Sequence, residues 1–346
     1  MSAGITTPPG QLKIPFRITI SRLLLVLLAS VFWIAVTDVG IRLLLRNRLL
    51  FLPLDERNLT YRYDAELGWF PVANSKKYFR GGRFIEVVNN SRGFRDAEHV
   101  LGTKPRMIFL GDSFVWGYDV EQWERFTEKL RASIPSWSIY NLGVSGYGTD
   151  QEYLLLRRQF EFYRPQIVFL IFCRDNDDDD NSRNVRYGLY YKPYFTVDSA
   201  GLKLRGVPVP RSEAYFFSQH SVLVKSGWVR LFAHVYFKLT APPVYLPAES
   251  PTDAILVAMH RFIQSKGGHF VVGLQRSYPQ LEQFLRDQSI PYVDLSNSYI
   301  YPAGSHHWTP EGHAFVSEKI KEFLDKGQYL KPRGASVRVR ESPAPG

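Results

Sequence analysis

The sequence predicts an α/β protein: a parallel sheet with helices on both faces, preceded by one membrane-spanning helix. Three observations predict it. Short apolar runs alternate with amphipathic segments over roughly 220 residues from position 106. The run QIVFLIFC at 166–173 is apolar throughout, as in a strand covered on both faces. Near the amino terminus, LLLVLLASVFWIAVT runs from Leu23 to Thr37 without a charge.

In chain order, residues 1–50 are the anchor segment, with a helix over about 18–45. The uncharged run is shorter than the ~20 residues a spanning helix uses. The apolar character resumes beyond Asp38, however, and Arg22 can snorkel to the interface. A cleaved signal peptide and a buried core helix compete with the anchor. No clean small-x-small site follows the run, which favours the anchor. Basic residues flank both ends (Lys13, Arg17 and Arg22; Arg42, Arg46 and Arg48), so charge does not orient it.

Residues 51–104, rich in aromatics, Gly and Asn, read as short strands and turns. The main domain follows over 105–330. RMIFL (106–110) is its first strand, and 120–133 a helix with Trp123, Phe126 and Leu130 on one face. SIYNL (138–142) is a strand, 150–163 a helix and 166–173 a strand. Residues 178–249 interrupt the alternation as a loop-like insertion, a lid or substrate wall. A helix then starts with Ser250 as cap and Pro251 in the first turn, and ends at Gly267-Gly268. HFVVGL (269–274) is a strand, 280–288 a helix, 292–295 the last strand and 310–325 the last helix. Residues 331–346 read as a disordered basic tail.

Composition narrows the function. With 45% hydrophobic and 22% charged residues, the chain is neither disordered nor a coiled coil. Its single cysteine, Cys173, excludes an intramolecular disulfide framework and a cysteine-rich metal cage. The net charge is +10, but residues 58–330 carry only +3 of it, the rest lying in the two ends. That distribution suits membrane flanks better than a nucleic-acid face, so no nucleic-acid partner is expected.

Ligands of open parallel sheets bind outside the carboxyl ends of the strands. Gly111-Asp112-Ser113-Phe114 follows the first strand, Gly143 to Gly148 the second, and Arg174-Asp175-Asn176-Asp177 the third. His306-His307-Trp308-Thr309-Pro310 follows the last. A hydroxyl, a glycine-rich turn, a carboxamide and an imidazole thus gather at one edge. Acyl transfer needs such a set: a nucleophile, a base for its proton and donors for an oxyanion. Either His306 or His307 could be the base. A metal held by His306, His307 and His313 is disfavoured, because adjacent side chains point apart. The acidic run 175–180 lacks the spacing of a calcium loop and reads as a helix start or surface run near the site.

GDSF, NLGVSGYGTDQ, the Asn176-Asp177 pair and HWTPEGH resemble, in order and spacing over 106–327, the SGNH/GDSL hydrolase family. LGWF (67–70) and NNSRGFRD (89–96) are similar to membrane-anchored bacterial members. The resemblance implies a flavodoxin-like three-layer α/β/α fold and ester chemistry without cofactor or metal. It implies Ser113 as nucleophile, His307 as base, and an oxyanion hole from the Ser113 N–H, Gly146 and Asn176. The family's orienting Asp is replaced by Gly304 or Ser305, which leaves open a Ser–His dyad, an acid from elsewhere or a degenerate site. The expected function is hydrolysis of O-acyl groups on glycans or related envelope substrates, with the domain on the periplasmic side of the membrane. An O-acyltransferase with the same acyl-serine, or a dead glycan-binding module, are the alternatives.

Overall fold

The computed structural model describes residues 20–45, 60–188, 190–220, 222–247, 249–302 and 305–330. The expected tail at 331–346 lies outside them, as do Gly304 and the basic residues Lys13 and Arg17. The chain forms two compact units, residues 1–51 with 220–239, and residues 52–219 with 240–346.

In the larger unit five parallel strands form the central sheet. They are β5 (Arg106–Gly111), β6 (Ser138–Asn141), β7 (Ile167–Phe172), β12 (His269–Leu274) and β13 (Tyr292–Asp294). Their spatial order is β13-β12-β7-β5-β6. In order of appearance this is 2-1-3-4-5, the flavodoxin-like arrangement, whose direction of growth reverses between the first and third strands.

Side chains alternate across a strand, so each strand feeds two cores. Ile108, Leu110, Val168, Leu170 and Phe172 join one core, with Leu155 and Phe160 of α4 (Thr149–Tyr163) and Ile255 and Met259 of α8 (Thr252–Ser265). Met107, Phe109, Ile167, Phe169 and Ile171 join the other, with Leu130 of α3 (Phe126–Ser133) and Val316 and Ile320 of α10 (Pro310–Lys326). All six residues of β7 are buried, which is why its sequence shows no alternation.

Residues 61–88 form two antiparallel hairpins, β1 (Tyr61–Asp64) with β2 (Gly68–Pro71) and β3 (Lys76–Arg80) with β4 (Phe84–Val88). Tyr61, Leu67, Trp69 and Phe70 pack into the first of the two sheet cores. The NNSRGFRD stretch supplies a clamp: the buried Arg95 guanidinium donates to the carbonyls of Glu86, Trp116, Gly117 and Val120.

Three expectations are corrected. The helix at 120–133 is broken into a 3-10 turn (Gln122–Glu124) and α3, because Arg125 is extended and its guanidinium is buried against Asp96. Trp123 is consequently exposed rather than on the apolar face. Pro251, not Ser250, occupies the cap position of α8, while the Ser250 hydroxyl accepts from the Thr252 N–H at 3.3 Å and shares a hydrogen bond with Thr252 Oγ1 at 2.7 Å. The insertion at 178–249 is largely ordered. It holds two small hairpins, β8 (Val185–Arg186) with β9 (Tyr190–Tyr191) and β10 (Tyr194–Asp198) with β11 (Gly201–Arg205), and the helices α6 (Glu213–Gln219) and α7 (Gly227–Thr240). Lys192 fixes it, its buried ammonium paired with Asp150 and donating to the carbonyls of Asp180, Arg183 and Pro193.

The smaller unit contains α1 (Ile20–Leu44), a 25-residue helix whose apolar side chains are nearly all exposed. It is long and apolar enough to cross a membrane. Residues 220–239 of the insertion belong to this unit and the remainder of the insertion to the larger one.

Leu170 is fully buried at the centre of the middle strand. Leu170→Ala is expected to destabilise the sheet-bearing unit by about 2–5 kcal/mol, measured as a lowered midpoint of chemical unfolding followed by tryptophan fluorescence.

Candidate active site

β5 and β7 are hydrogen-bonded neighbours, with Gly111 opposite Ile171, so their carboxyl ends lie side by side. Ser113 opens the short helix α2 (Ser113–Trp116) just beyond β5. Asp112 caps it, Oδ1 accepting from the Phe114 N–H at 2.9 Å. Gly117 closes it in the left-handed region at φ +88°, where an added Cβ would stand 2.5 Å from the Arg125 side chain. A side chain at 117 would thus disturb the guanidinium that breaks the following helix.

His307 comes from the segment between β13 and α10. The Tyr301 N–H donates to the His307 carbonyl at 2.9 Å, and an isolated bridge pairs Ile300 with Trp308. Trp308 is fully buried against Phe114 and Phe126. Thr309 caps α10 by accepting from the Gly312 N–H at 3.1 Å. His313 is a core residue whose Nδ1 accepts from the Phe126 N–H at 3.3 Å. Of HWTPEGH, then, the first imidazole faces the cleft while the rest anchors it.

The result is one close contact between residues 194 positions apart: His307 Nε2 lies 2.6 Å from Ser113 Oγ. His306 lines the same cleft but makes no such contact. The His307 ring stacks on Tyr118 at 4.3 Å between centroids and 18° between planes, with Phe114 at 4.8 Å. Phe79 of β3 backs Tyr118 at 5.0 Å. Nδ1 of His307 is buried and has no partner among the described residues. Among the described residues, then, no carboxylate bonds this nitrogen, and aromatic faces pack against the ring.

Burial pushes the His307 imidazole below its ordinary pKa, against the opposing fields of Asp112 and Asp119. A neutral ring can accept the serine proton at Nε2 once Nδ1 carries the hydrogen. Beneath the site, Glu152 is fully buried, with neither carboxyl oxygen bonded among the described residues. Burial, with Asp177 and Asp112 near by, pushes its carboxyl well above the usual carboxylate range.

Asn176 reaches the cleft at the end of β7, and its Nδ2 donates to Asp112 Oδ2 at 3.2 Å and to Asp180 Oδ2 at 3.1 Å. Asp112 Oδ2 also accepts from Ser113 Oγ at 3.4 Å. Gly146 does not line the cleft. Its turn is tied to the hairpin β1–β2, with the Ser145 N–H donating to Tyr61 Oη at 3.1 Å and the Trp69 indole to the Ser145 carbonyl at 3.3 Å. Gly146 has φ +80°, which gives the glycine a conformational reason of its own. The acidic run is only partly a surface: Asp177 and Asp180 are buried, Asp177 Oδ2 accepts from the Cys173 N–H at 2.8 Å, and Asp180 pairs with Arg186.

The cleft encloses about 470 Å³. Arg186, Tyr187 and Arg276 stand on its walls and were not singled out from the sequence. Arg276 follows the carboxyl end of β12, so the same strand-end rule points to it. Tyr118 carried no such signal, being one aromatic among 20 tyrosines.

Among solved structures the chain is similar to a GDSL-like lipase from Bacteroides thetaiotaomicron, at 12% identity over 67% of this chain and 93% of that one, TM-score 0.37. It is similar to a member of the lipolytic G-D-S-L family from Veillonella parvula, at 16% identity over 64% and 98%, TM-score 0.36. A psychrotrophic esterase from Pseudoalteromonas matches at 11% identity over 65% and 100%, TM-score 0.38. No family model and no curated protein matches the chain. The site's own atoms carry the chemistry proposed below.

Two outcomes follow from the clamp. In the wild type, His307 is expected to titrate below 6.5, as read by NMR of labelled histidine. Tyr118→Ala re-admits water to the ring face and is expected to move that titration upward, while Tyr118→Phe leaves it in place.

Proposed function

We propose that the chain is a serine-dependent esterase of the SGNH/GDSL type. The observation that carries this reading is the 2.6 Å contact between Ser113 Oγ and His307 Nε2 in a cleft open to ligand. Attack of Oγ on an ester carbonyl transfers the serine proton to Nε2. The tetrahedral intermediate collapses as the imidazolium returns the proton to the leaving alkoxide, leaving acyl-Ser113. Water, deprotonated by the same nitrogen, then releases the acid and regenerates the hydroxyl.

Donors for the oxyanion are the Ser113 N–H and the Asn176 carboxamide, the latter after exchanging one of its carboxylate partners for the developing charge. Gly146 remains the proposed third donor, through its backbone N–H. The site is a Ser–His dyad whose imidazole is oriented by Tyr118 and Phe114 where related chemistry uses a carboxylate.

The proposed substrate is an O-acylated glycan or similar polyol. The cleft walls support this, since Arg186, Arg276, Asp175, Asn176 and Ser305 offer hydrogen bonds to the hydroxyls of a polyol. α1 is proposed as a membrane anchor, with the sheet-bearing unit on the extracytoplasmic side.

Wild type is expected to hydrolyse nitrophenyl acetate and to react with a fluorophosphonate probe. Ser113→Ala should lose at least ~10³-fold in kcat and all labelling; equal rates for the two proteins sink the assignment. Across the pH profile, the acid limb of kcat/KM should inflect below 6.5, because activity needs neutral His307 and burial lowers its pKa. Tyr118→Ala should shift that limb and lower kcat by up to about 10²-fold through misorientation of the ring.

A further inference from the structure

Helix α7 carries exposed apolar side chains that the esterase reading leaves unused. Phe232, Val235, Tyr236 and Leu239 are 45–81% exposed. At 100° per residue they fall, with half-buried Trp228, within an arc of about 100°. The turn before the helix adds exposed Val222 and Leu223. Arg230, His234 and Lys238 recur every four residues on another side. Residues 220–240 contain Lys225, Arg230 and Lys238 and no acidic residue. An exposed apolar stripe with Arg230 and Lys238 on another side, and no acid among them, is the pattern of a helix lying in a membrane interface.

The position of α7 relative to α1 gives its depth. The Asp38 carboxylate accepts from Ser226 Oγ at 2.7 Å and from the Trp228 N–H at 3.1 Å, capping α7 from outside. The Trp228 indole donates to Thr37 Oγ1 at 3.2 Å. Gly227 permits the approach, since a Cβ there would stand 2.7 Å from the Asp38 carbonyl. Asp38 is the first charge after the uncharged run from Leu23 to Thr37. α7 therefore begins at the level of Asp38, where the uncharged run of α1 ends, with a tryptophan at that level, as at a membrane–water boundary.

We propose that α7 is a membrane-surface helix, its apolar stripe sunk into the leaflet at which α1 ends and its cations facing anionic lipid headgroups. This rests on α1 being a membrane span. Continuity with α1 and the all-cationic charge favour lipid over a protein groove or a second copy. The consequence is a two-point attachment, a span plus an interfacial helix, for an enzyme otherwise held by a single helix.

The test uses the full chain in phosphatidylcholine vesicles containing phosphatidylglycerol. The variants Leu28→Cys, Phe232→Cys and Lys238→Cys are each labelled with an environment-sensitive fluorophore and challenged with spin-labelled lipids. Native Cys173 is 2% exposed and burial pushes its thiol well above the ordinary pKa, so the wild type serves as the unlabelled blank. Labels at 28 and 232 are expected to shift to the blue and be quenched, and the label at 238 to stay in water. A quenched label at 28 with 232 no more quenched than 238 overturns the proposal while leaving the span intact. An unquenched label at 28 overturns the span itself. Repetition without phosphatidylglycerol should reduce quenching at 232; an unchanged signal refutes the part played by anionic headgroups.

Discussion

The pairing of β5 with β7 is the constraint on which the rest depends. Both strands are buried on both faces, so neither can carry polar chemistry along its length. Polar groups are pushed to the strand ends, where backbone must leave the sheet and meet water. Because the third strand pairs with the first, and the second lies on the far side, the ends of β5 and β7 are left with an open crevice between them. Asp112 and Ser113 stand on one side of it and Asn176 on the other, joined by the Asn176 to Asp112 hydrogen bond. His307 then has only to be delivered from the last loop.

That delivery explains the density of anchoring around one imidazole. Trp308 is buried behind it, the Ile300–Trp308 bridge fixes its backbone, and Tyr118 covers its face. A carboxylate at Nδ1 would orient the ring and also raise its pKa. The aromatic faces orient it without adding charge, and desolvation lowers its pKa. The same low-dielectric surroundings disfavour charge on the buried Glu152 carboxyl and push its pKa upward. Orientation by packing and suppression of nearby charge are two effects of one cause, the exclusion of water.

The smaller unit follows a different logic. Its apolar surface is turned outward, on α1 along nearly its whole length and on α7 along one stripe. Asp38, with Arg42, supplies the polar joint between the two helices. The chain enters the sheet-bearing unit after α1, leaves it for α7 and returns, so the two units are covalently joined at three crossings.

The sequence by itself determined the sheet strands, the apolar helix, and the strand-end positions of Ser113, Asn176 and His307, because hydrophobic period and turn residues are local signals. The break at Arg125 was not legible, since it arises from a guanidinium buried against Asp96, remote in sequence. Nor was the order within 178–249, where Lys192 is satisfied by carbonyls and a carboxylate from three segments. Only the tertiary structure decided what holds His307. Stacking on Tyr118 depends on two distant loops converging, and a contact between side chains of unlike type leaves no periodicity in either stretch of chain.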